Sequence, residues 1–136
     1  MILVILLIDI KTERNMQIID ITSCVEELVK KCGIEDGICL VYTRHTTTGI
    51  VINEAESGLL EDILRRMGSL APPDSGYLHD RIDHNAHAHL QAILLGNCQM
   101  VPIEKGHLDL GTWQKILFVE LDGPRHRKVQ VKMVPE

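Results

Sequence analysis

Asp80-Arg-Ile-Asp-His-Asn-Ala-His-Ala-His89 places three imidazoles and two carboxylates within ten residues of a chain that has only seven histidines. Neutral imidazole is the commonest protein ligand for zinc-like ions and the usual proton carrier near pH 7. The segment therefore reads as the centre of the chemistry. Geometry restricts which of its histidines can act together. On a helix, His87 and His89 point about 200° apart and cannot share an ion, whereas His84 and His87 can share a face. On an extended segment His87 and His89 lie on one side, about 6.6 Å apart along the chain, and can converge. An apolar run begins at Leu90. The expectation is an extended lead-in to a helix start, with His87 and His89 paired and a third ligand from elsewhere. Asp83 and Asn85 are then placed to orient an imidazole or to bind substrate, and a helix start offers free N–H groups to an anion. The plainer alternative is a polar surface loop with Asn85 as a cap.

Two further groups could bind an oxyanion. Arg44-His45-Thr46-Thr47-Thr48 combines a guanidinium, an imidazole and three hydroxyls, a donor-rich cradle for phosphate. A β-branched strand with an alternating polar face explains the same residues without function. Asn53, Glu54 and Glu56 follow closely, and helix capping accounts for two of the three. Asp122-Gly-Pro-Arg125-His-Arg-Lys128 is a cation-rich turn that could hold phosphate, although a solvated hairpin turn is simpler. His107 and His126 stand alone and read as solvent-exposed. Trp113, the only tryptophan, reads as a core or interface anchor.

Elements must position these groups. At 136 residues the whole chain, 1–136, reads as one domain with room for a core. Apolar residues make up 45% and charged residues 24%, an ordinary balance for a soluble protein. Aromatics are scarce, so the core must come from Ile, Leu and Val, many of them suited to sheet. The net charge of −5 speaks against a general nucleic-acid binder. The four cysteines lack CxxC spacing and read as buried free thiols in a reducing cytoplasm. The apolar run Met1–Ile8 is too short to span a membrane and lacks the leader pattern of a signal peptide. It reads as a first strand, buried on both faces or covered by a neighbouring subunit.

Periodicity supplies the rest. Strands are expected at about Ile2–Lys11 and Met16–Ile21, forming a hairpin, then at Ile38–Thr43 and around Ile50–Ile52. Further strands are expected at Cys98–Ile103, Leu108–Leu110, Lys115–Leu121 and Lys128–Val134. Ser23-Cys-Val-Glu26 fits a capping box, and Gly33 a helix end. A second helix carries Leu59, Leu60, Ile63, Leu64 and Met67 on one stripe and stops before Pro72-Pro73. A short third starts near Asn85–His87 and ends at Gly96. The class is α+β, a mostly antiparallel β-sandwich or open barrel with two or three flanking helices.

The ordered motifs His45-Thr-Thr, Ile52-Asn-Glu54, Tyr77-Leu-His-Asp80, Asn85-Ala-His-Ala-His89, Leu110-Gly-Thr-Trp-Gln114 and Glu120-Leu-Asp-Gly-Pro-Arg-His-Arg127 closely resemble the YjbQ family over nearly the whole chain. The resemblance implies a compact β-sandwich assembled as a homotrimer. It also implies a cavity near subunit boundaries, lined by His45, His87 and His89, with metal ions in some members. A weak thiamine-phosphate synthase activity goes with it, joining a pyrimidine diphosphate to a thiazole phosphate and releasing pyrophosphate. The chain departs in having Thr48 where the family often has Ala, and His84 at a variable position.

The leading expectation is thus a metal-assisted enzyme acting on a small phosphorylated substrate. His45, His87 and His89 would hold a divalent cation, zinc-like by its imidazole ligands, although pyrophosphate chemistry normally uses magnesium and oxygen ligands. Arg44, Thr46, Thr47 and Arg125, with Asn53 and Asn85, would bind the phosphates. His45, Glu54, Asp83 or Glu120 would orient an imidazole or move a proton. The alternatives are a non-catalytic trimer that binds metal or phosphate esters, and a purely structural oligomer. Neither a nucleic acid nor a membrane is an expected partner.

Overall fold

The computed structural model describes residues 4–136. Met1, Ile2 and Leu3, where the first strand was expected to begin, lie outside the described residues. Apolar and β-branched runs form β1 (Val4–Lys11), β2 (Gln17–Asp20), β3 (Gly37–Thr43), β4 (Thr48–Asn53), β5 (Cys98–Glu104), β6 (His107–Leu108), β7 (Lys115–Glu120) and β8 (His126–Pro135). These strands pair into two antiparallel sheets, β1-β8-β3-β5-β6 and β2-β7-β4. Three helices, α1 (Thr22–Cys32), α2 (Ser57–Leu70) and α3 (Ala86–Leu95), flank them, and a 3-10 turn spans Leu78–Arg81. The class is α+β, as expected. No helix of the described residues is long and apolar enough to cross a membrane.

Strand alternation builds the core. Arg127, Val129, Val131 and Met133 of β8 face inward, as do Cys39 and Val41 of β3. All but Arg127 meet Val25 and Val29 of α1 and Ile50, Ile116 and Phe118 of the second sheet in one cluster. β7 is buried on both faces from Ile116 to Glu120, because α3 covers its outer side with Ala88 and Ala92 against Val119 and Leu121.

Four local expectations are corrected. β1 and β2 are not a hairpin: β1 pairs with β8 and β2 with β7. The link between them crosses from one sheet to the other, because Thr12 is pulled inward. Its N–H donates to Arg125 O (2.9 Å) and its hydroxyl to Glu120 Oε1 (2.8 Å). β1 is an edge strand, and within the chain it is not buried on both faces, since Ile5 and Leu7 are 60% and 52% exposed. α1 starts at Thr22 and does not use the Ser23 box. Asp20 Oδ1 accepts from Thr22 N (2.9 Å) and Oγ1 (2.6 Å), and Thr22 Oγ1 accepts from Ile116 N (2.8 Å). At α2 the cap is Glu56, which accepts from Leu59 N at 3.0 Å, while Asn53 Oδ1 accepts only from Glu54 N.

Other expectations match. Gly33 ends α1 in the left-handed region, at φ 66°. Lys105 and Gly106 both have positive φ, 51° and 79°, which suits the tight β5–β6 turn. The four cysteines are free, but only Cys39 is buried and Cys24 is exposed. Burial, with Glu26 and Cys32 nearby, pushes the Cys39 thiol up to about 12, which leaves it inert.

Close approach of α3 to β4 depends on Gly49. A Cβ there would lie 2.9 Å from Leu95 Cβ and 3.2 Å from Gly96 O. Just beyond, Gly96 O accepts from Ile50 N (3.0 Å) and Asn97 O from Thr43 N (2.9 Å). The end of α3 is thereby clamped against the β3–β4 connection. Gly49→Ala should cost about 1–3 kcal/mol by overpacking. Gly68→Ala, in α2 with open space around it, should gain about 0.5–1 kcal/mol from helix propensity. Urea midpoints of the two variants should therefore move in opposite directions.

Candidate functional site

That clamp creates a hollow of about 600 Å³ between α3 and the segment after β3. Tyr42, Arg44, His45 and Thr46 form one wall, and His89, Ile93 and Asn97 the other. No carboxylate lines it. Arg44 is exposed and makes no ion pair among the described residues. A guanidinium, two imidazoles and hydroxyls without a counter-charge make the hollow receptive to an anion.

His45 is held from several directions. Thr48 Oγ1 donates to its carbonyl (3.0 Å), and Thr48 itself hydrogen-bonds Thr43 (2.8 Å). The ring Nε2 accepts from Lys128 N at 3.0 Å. Burial, then the Arg127 charge, hold the imidazole below its ordinary value, so His45 is neutral at pH 7. His89 stacks edge-on against His79, with ring centroids 4.8 Å apart.

Behind this wall lies a buried charge network. Arg127 donates to Glu120 from Nε (2.8 Å to Oε1) and Nη2 (2.6 Å to Oε2), and Nη2 also donates to Thr47 Oγ1 (2.9 Å). The Glu120 side chain is fully buried and that of Arg127 only 6% exposed. Leu121 N and Asp122 N complete the shell, each 3.1 Å from Glu120 Oε2. Burial pushes the Glu120 carboxyl up, but Arg127, Asp122 N–H and the Thr12 hydroxyl outweigh it and hold the group below its ordinary value.

Comparison with known proteins places this arrangement. Residues 7–136 match the model of the UPF0047 protein YjbQ-like family. A UPF0047 protein of Archaeoglobus fulgidus is 59% identical over 90% of this chain and 95% of its own length. Bacillus subtilis YugU is 41% identical over 93% and 96%. Among solved structures, a YbjQ-like protein of unknown function from Sulfolobus solfataricus superposes with TM-score 0.96 at 44% identity, covering 98% of each chain. The chain belongs to the YjbQ-like UPF0047 family.

Set against this YjbQ-like fold, the residues singled out from sequence divide sharply. His45, Arg44 and Thr46 line one hollow with His89. His87 does not join them. The expected extended lead-in is helical, α3 beginning at Ala86, so His87 and His89 project about 200° apart. Asp80 Oδ1 accepts from Ala86 N at 3.0 Å, and the helix starts within the expected Asn85–His87 range. His87 Nδ1 is instead buried without a hydrogen-bond partner. A zinc-like ion does not fit His45, His87 and His89 within this chain: two of them diverge, and the third already spends Nε2 on Lys128. Among the described residues, the set whose ligand atoms all lie within 4.8 Å of one another is Asp74, Asp80 and His84. There His84 Nε2 lies 2.7 Å from Asp74 Oδ1, both side chains exposed.

Other expected site residues lie outside the lining of the His45 hollow. Glu120 is sealed against Arg127 and cannot reach a ligand as a base. Thr47 is turned inward to Arg127. Arg125 bonds Asp122, as does Asn85 through Nδ2 at 2.9 Å. Asn53 lines a different hollow, under α2. Glu54 is half-buried and Asp83 exposed, and neither lines the His45 hollow. Trp113, expected to be an anchor, is 70% exposed and is not core in this chain. Arg127 was readable: it falls in the same alternation as Val129, Val131 and Met133, which makes it a buried cation in need of a carboxylate.

Breaking the pair should be severe. Arg127→Met leaves Glu120 buried alone and should cost about 3–5 kcal/mol in urea unfolding. Because the native Glu120 value is lowered, its stabilisation is complete above the ordinary glutamate range and fades as pH falls through the native value. Stability of Glu120→Gln should accordingly depend less on pH than that of the wild type across the acid range.

Proposed function

We propose that the hollow between α3 and residues 42–48 binds the phosphate end of a small phosphorylated molecule. The observation that carries this reading is the lining: Arg44, His45, His89 and Thr46 with no carboxylate among them. Charge-assisted hydrogen bonds from Arg44 and neutral ones from Thr46 and His45 suit a dianionic group. Ile93 and Ala92 of α3 offer an apolar surface for the remainder of the molecule.

The transfer implied by the family resemblance is the candidate chemistry. In it a thiazole nitrogen bonds the pyrimidine methylene carbon as the C–O bond to the diphosphate breaks, and pyrophosphate leaves. Arg44 and Thr46 would neutralise charge growing on the leaving group. No step is assigned to a metal. A binding protein without turnover has the same lining and differs only in the assay.

Calorimetry with pyrophosphate tests the reading. Binding should be measurable in wild type and should fall about tenfold or more, about 1.4 kcal/mol, in Arg44→Ala and in His89→Ala. Unaltered affinity in both variants defeats it. Formation of thiamine phosphate, abolished in the same variants, would establish the transfer; binding without product would establish the binding protein.

We also propose that copies of the chain assemble through the outer face of the first sheet, as a trimer. Strand register puts Ile5, Lys132, Leu40 and Met100 in one row and Leu7, Gln130, Tyr42 and Cys98 in the next. Of these, Ile5, Leu7 and Met100 are 60%, 52% and 66% exposed, a patch that isolated soluble chains seldom carry. Sedimentation should give three times the chain mass for wild type and a smaller species for Leu7→Lys with Met100→Lys. A wild-type monomer would refute it.

A further inference from the structure

The ladder between β3 and β8 stops at the pair Thr43–Val129. The next residue of β8, Lys128, still has a backbone N–H that needs an acceptor. β1 pairs Asp9 with Lys128 on the other side, but β3 has ended; the ring nitrogen Nε2 of His45 accepts from Lys128 N at 3.0 Å. The imidazole thus continues the sheet's hydrogen bonding one step past the end of β3.

This contact fixes the tautomer. A neutral imidazole has one bare nitrogen and one N–H. A backbone N–H cannot turn into an acceptor, so Nε2 must be the bare nitrogen and Nδ1 must carry the proton. Nδ1 has no protein partner among the described residues and is not one of the polar atoms sealed from solvent. His45 itself lines the anion-receptive hollow. A metal on Nδ1 would force the proton onto Nε2 and set two donors against each other at Lys128.

We propose that His45 is a fixed N–H donor to the occupant of the hollow, neither a metal ligand nor a proton acceptor, so that the ligand atom seated against it is an acceptor oxygen. The proposal rests on the anion reading above for its ligand and on the strand ladder for its tautomer. Burial and the neighbouring Arg127 charge, which disfavour the imidazolium, act in the same direction. Lys128 is a positioning residue through its backbone alone, which explains why its own side chain is free to pair with Asp9 at 2.8 Å.

Two measurements on the full chain separate the parts. Ring 1H–15N correlation spectra of nitrogen-labelled protein at pH 7 should show His45 with bare Nε2 and protonated Nδ1, unchanged by one equivalent of zinc ion. A proton on Nε2, an imidazolium, or a zinc-induced change at Nδ1 overturns the tautomer assignment. Pyrophosphate calorimetry then compares His45→Asn, whose amide reaches the place of Nδ1, with His45→Gln, whose amide reaches that of Nε2. Both should remain folded by circular dichroism, and Asn should bind at least fivefold more tightly than Gln. Equal losses, or the reverse order, overturn the donor role. A wild-type protein that binds no pyrophosphate defeats the anion reading and the acceptor-oxygen half of this proposal, while the spectrum decides the tautomer on its own.

Discussion

A carboxylate and a guanidinium sealed at the seam between two sheets govern this structure. Glu120 belongs to β7 of the smaller sheet and Arg127 to β8 of the larger, and their two short contacts lock the sheets at one separation. Buried charges are tolerable only when every polar atom is satisfied. The chain meets that demand from four places at once: Thr12 after β1, Thr47 before β4, and the N–H groups of Leu121 and Asp122. The cost is geometric. Gly123 must lack a side chain, because a Cβ there would strike Thr12, Glu120 and the carbonyl of Arg14. Much of the Glu120–Arg127 motif is thus spent on holding the sheets in place; burial is the larger cause that keeps His45 neutral, and the two charges act on it in opposite senses, Arg127 lowering and Glu120 raising its value.

The second constraint is the start of α3 at Ala86. Capping of Ala86 N by Asp80 commits the histidine segment to helix, and helix geometry gives His87 and His89 different tasks. His89 turns to the hollow and packs edge-on with His79. His87 turns where its Nδ1 is shut off from solvent without a partner, a costly arrangement in a single chain. The same helix presents Ala88 and Ala92 to β7. Small residues there are what allow α3 to lie close enough for Gly96 and Asn97 to clamp β4 and β3.

Sequence patterns revealed most of the strands, the α+β class and the general address of the site, because period-two alternation and glycine-ended helices are local signals. They failed where long-range bonds outcompeted local ones. Ser23 offered a good cap, yet Thr22 gained a bond to Ile116 N across the sheet. Thr12–Asn15 looked like a hairpin turn, yet Thr12 was drawn to Glu120. Within the site, Arg44, His45 and Thr46 were recognisable by type, and Thr47 was misread because the turn before β4 points it inward to Arg127. The pairing of His45 with a backbone N–H had no sequence signal, since it depends on where β3 ends relative to β8.

The remaining surface shows what a single chain leaves unfinished. Helix α2 carries an apolar stripe but buries none of its residues fully, and the hollow beneath it is floored by Val51, Ile52 and Leu95. Ile93 and Leu94 of α3, with Ile82 after the 3-10 turn, are 76%, 58% and 78% exposed. At about 25 cal/mol per Å² of apolar surface removed from water, covering such faces would contribute several kcal/mol per chain. Tyr42 lies both on the outer sheet face and in the wall of the anion-receptive hollow. In the proposed assembly, a neighbour seated on that face would therefore abut the hollow. Association and ligand binding would then be linked through one residue row, and a phosphorylated ligand would raise the stability of the assembly as well as of the chain.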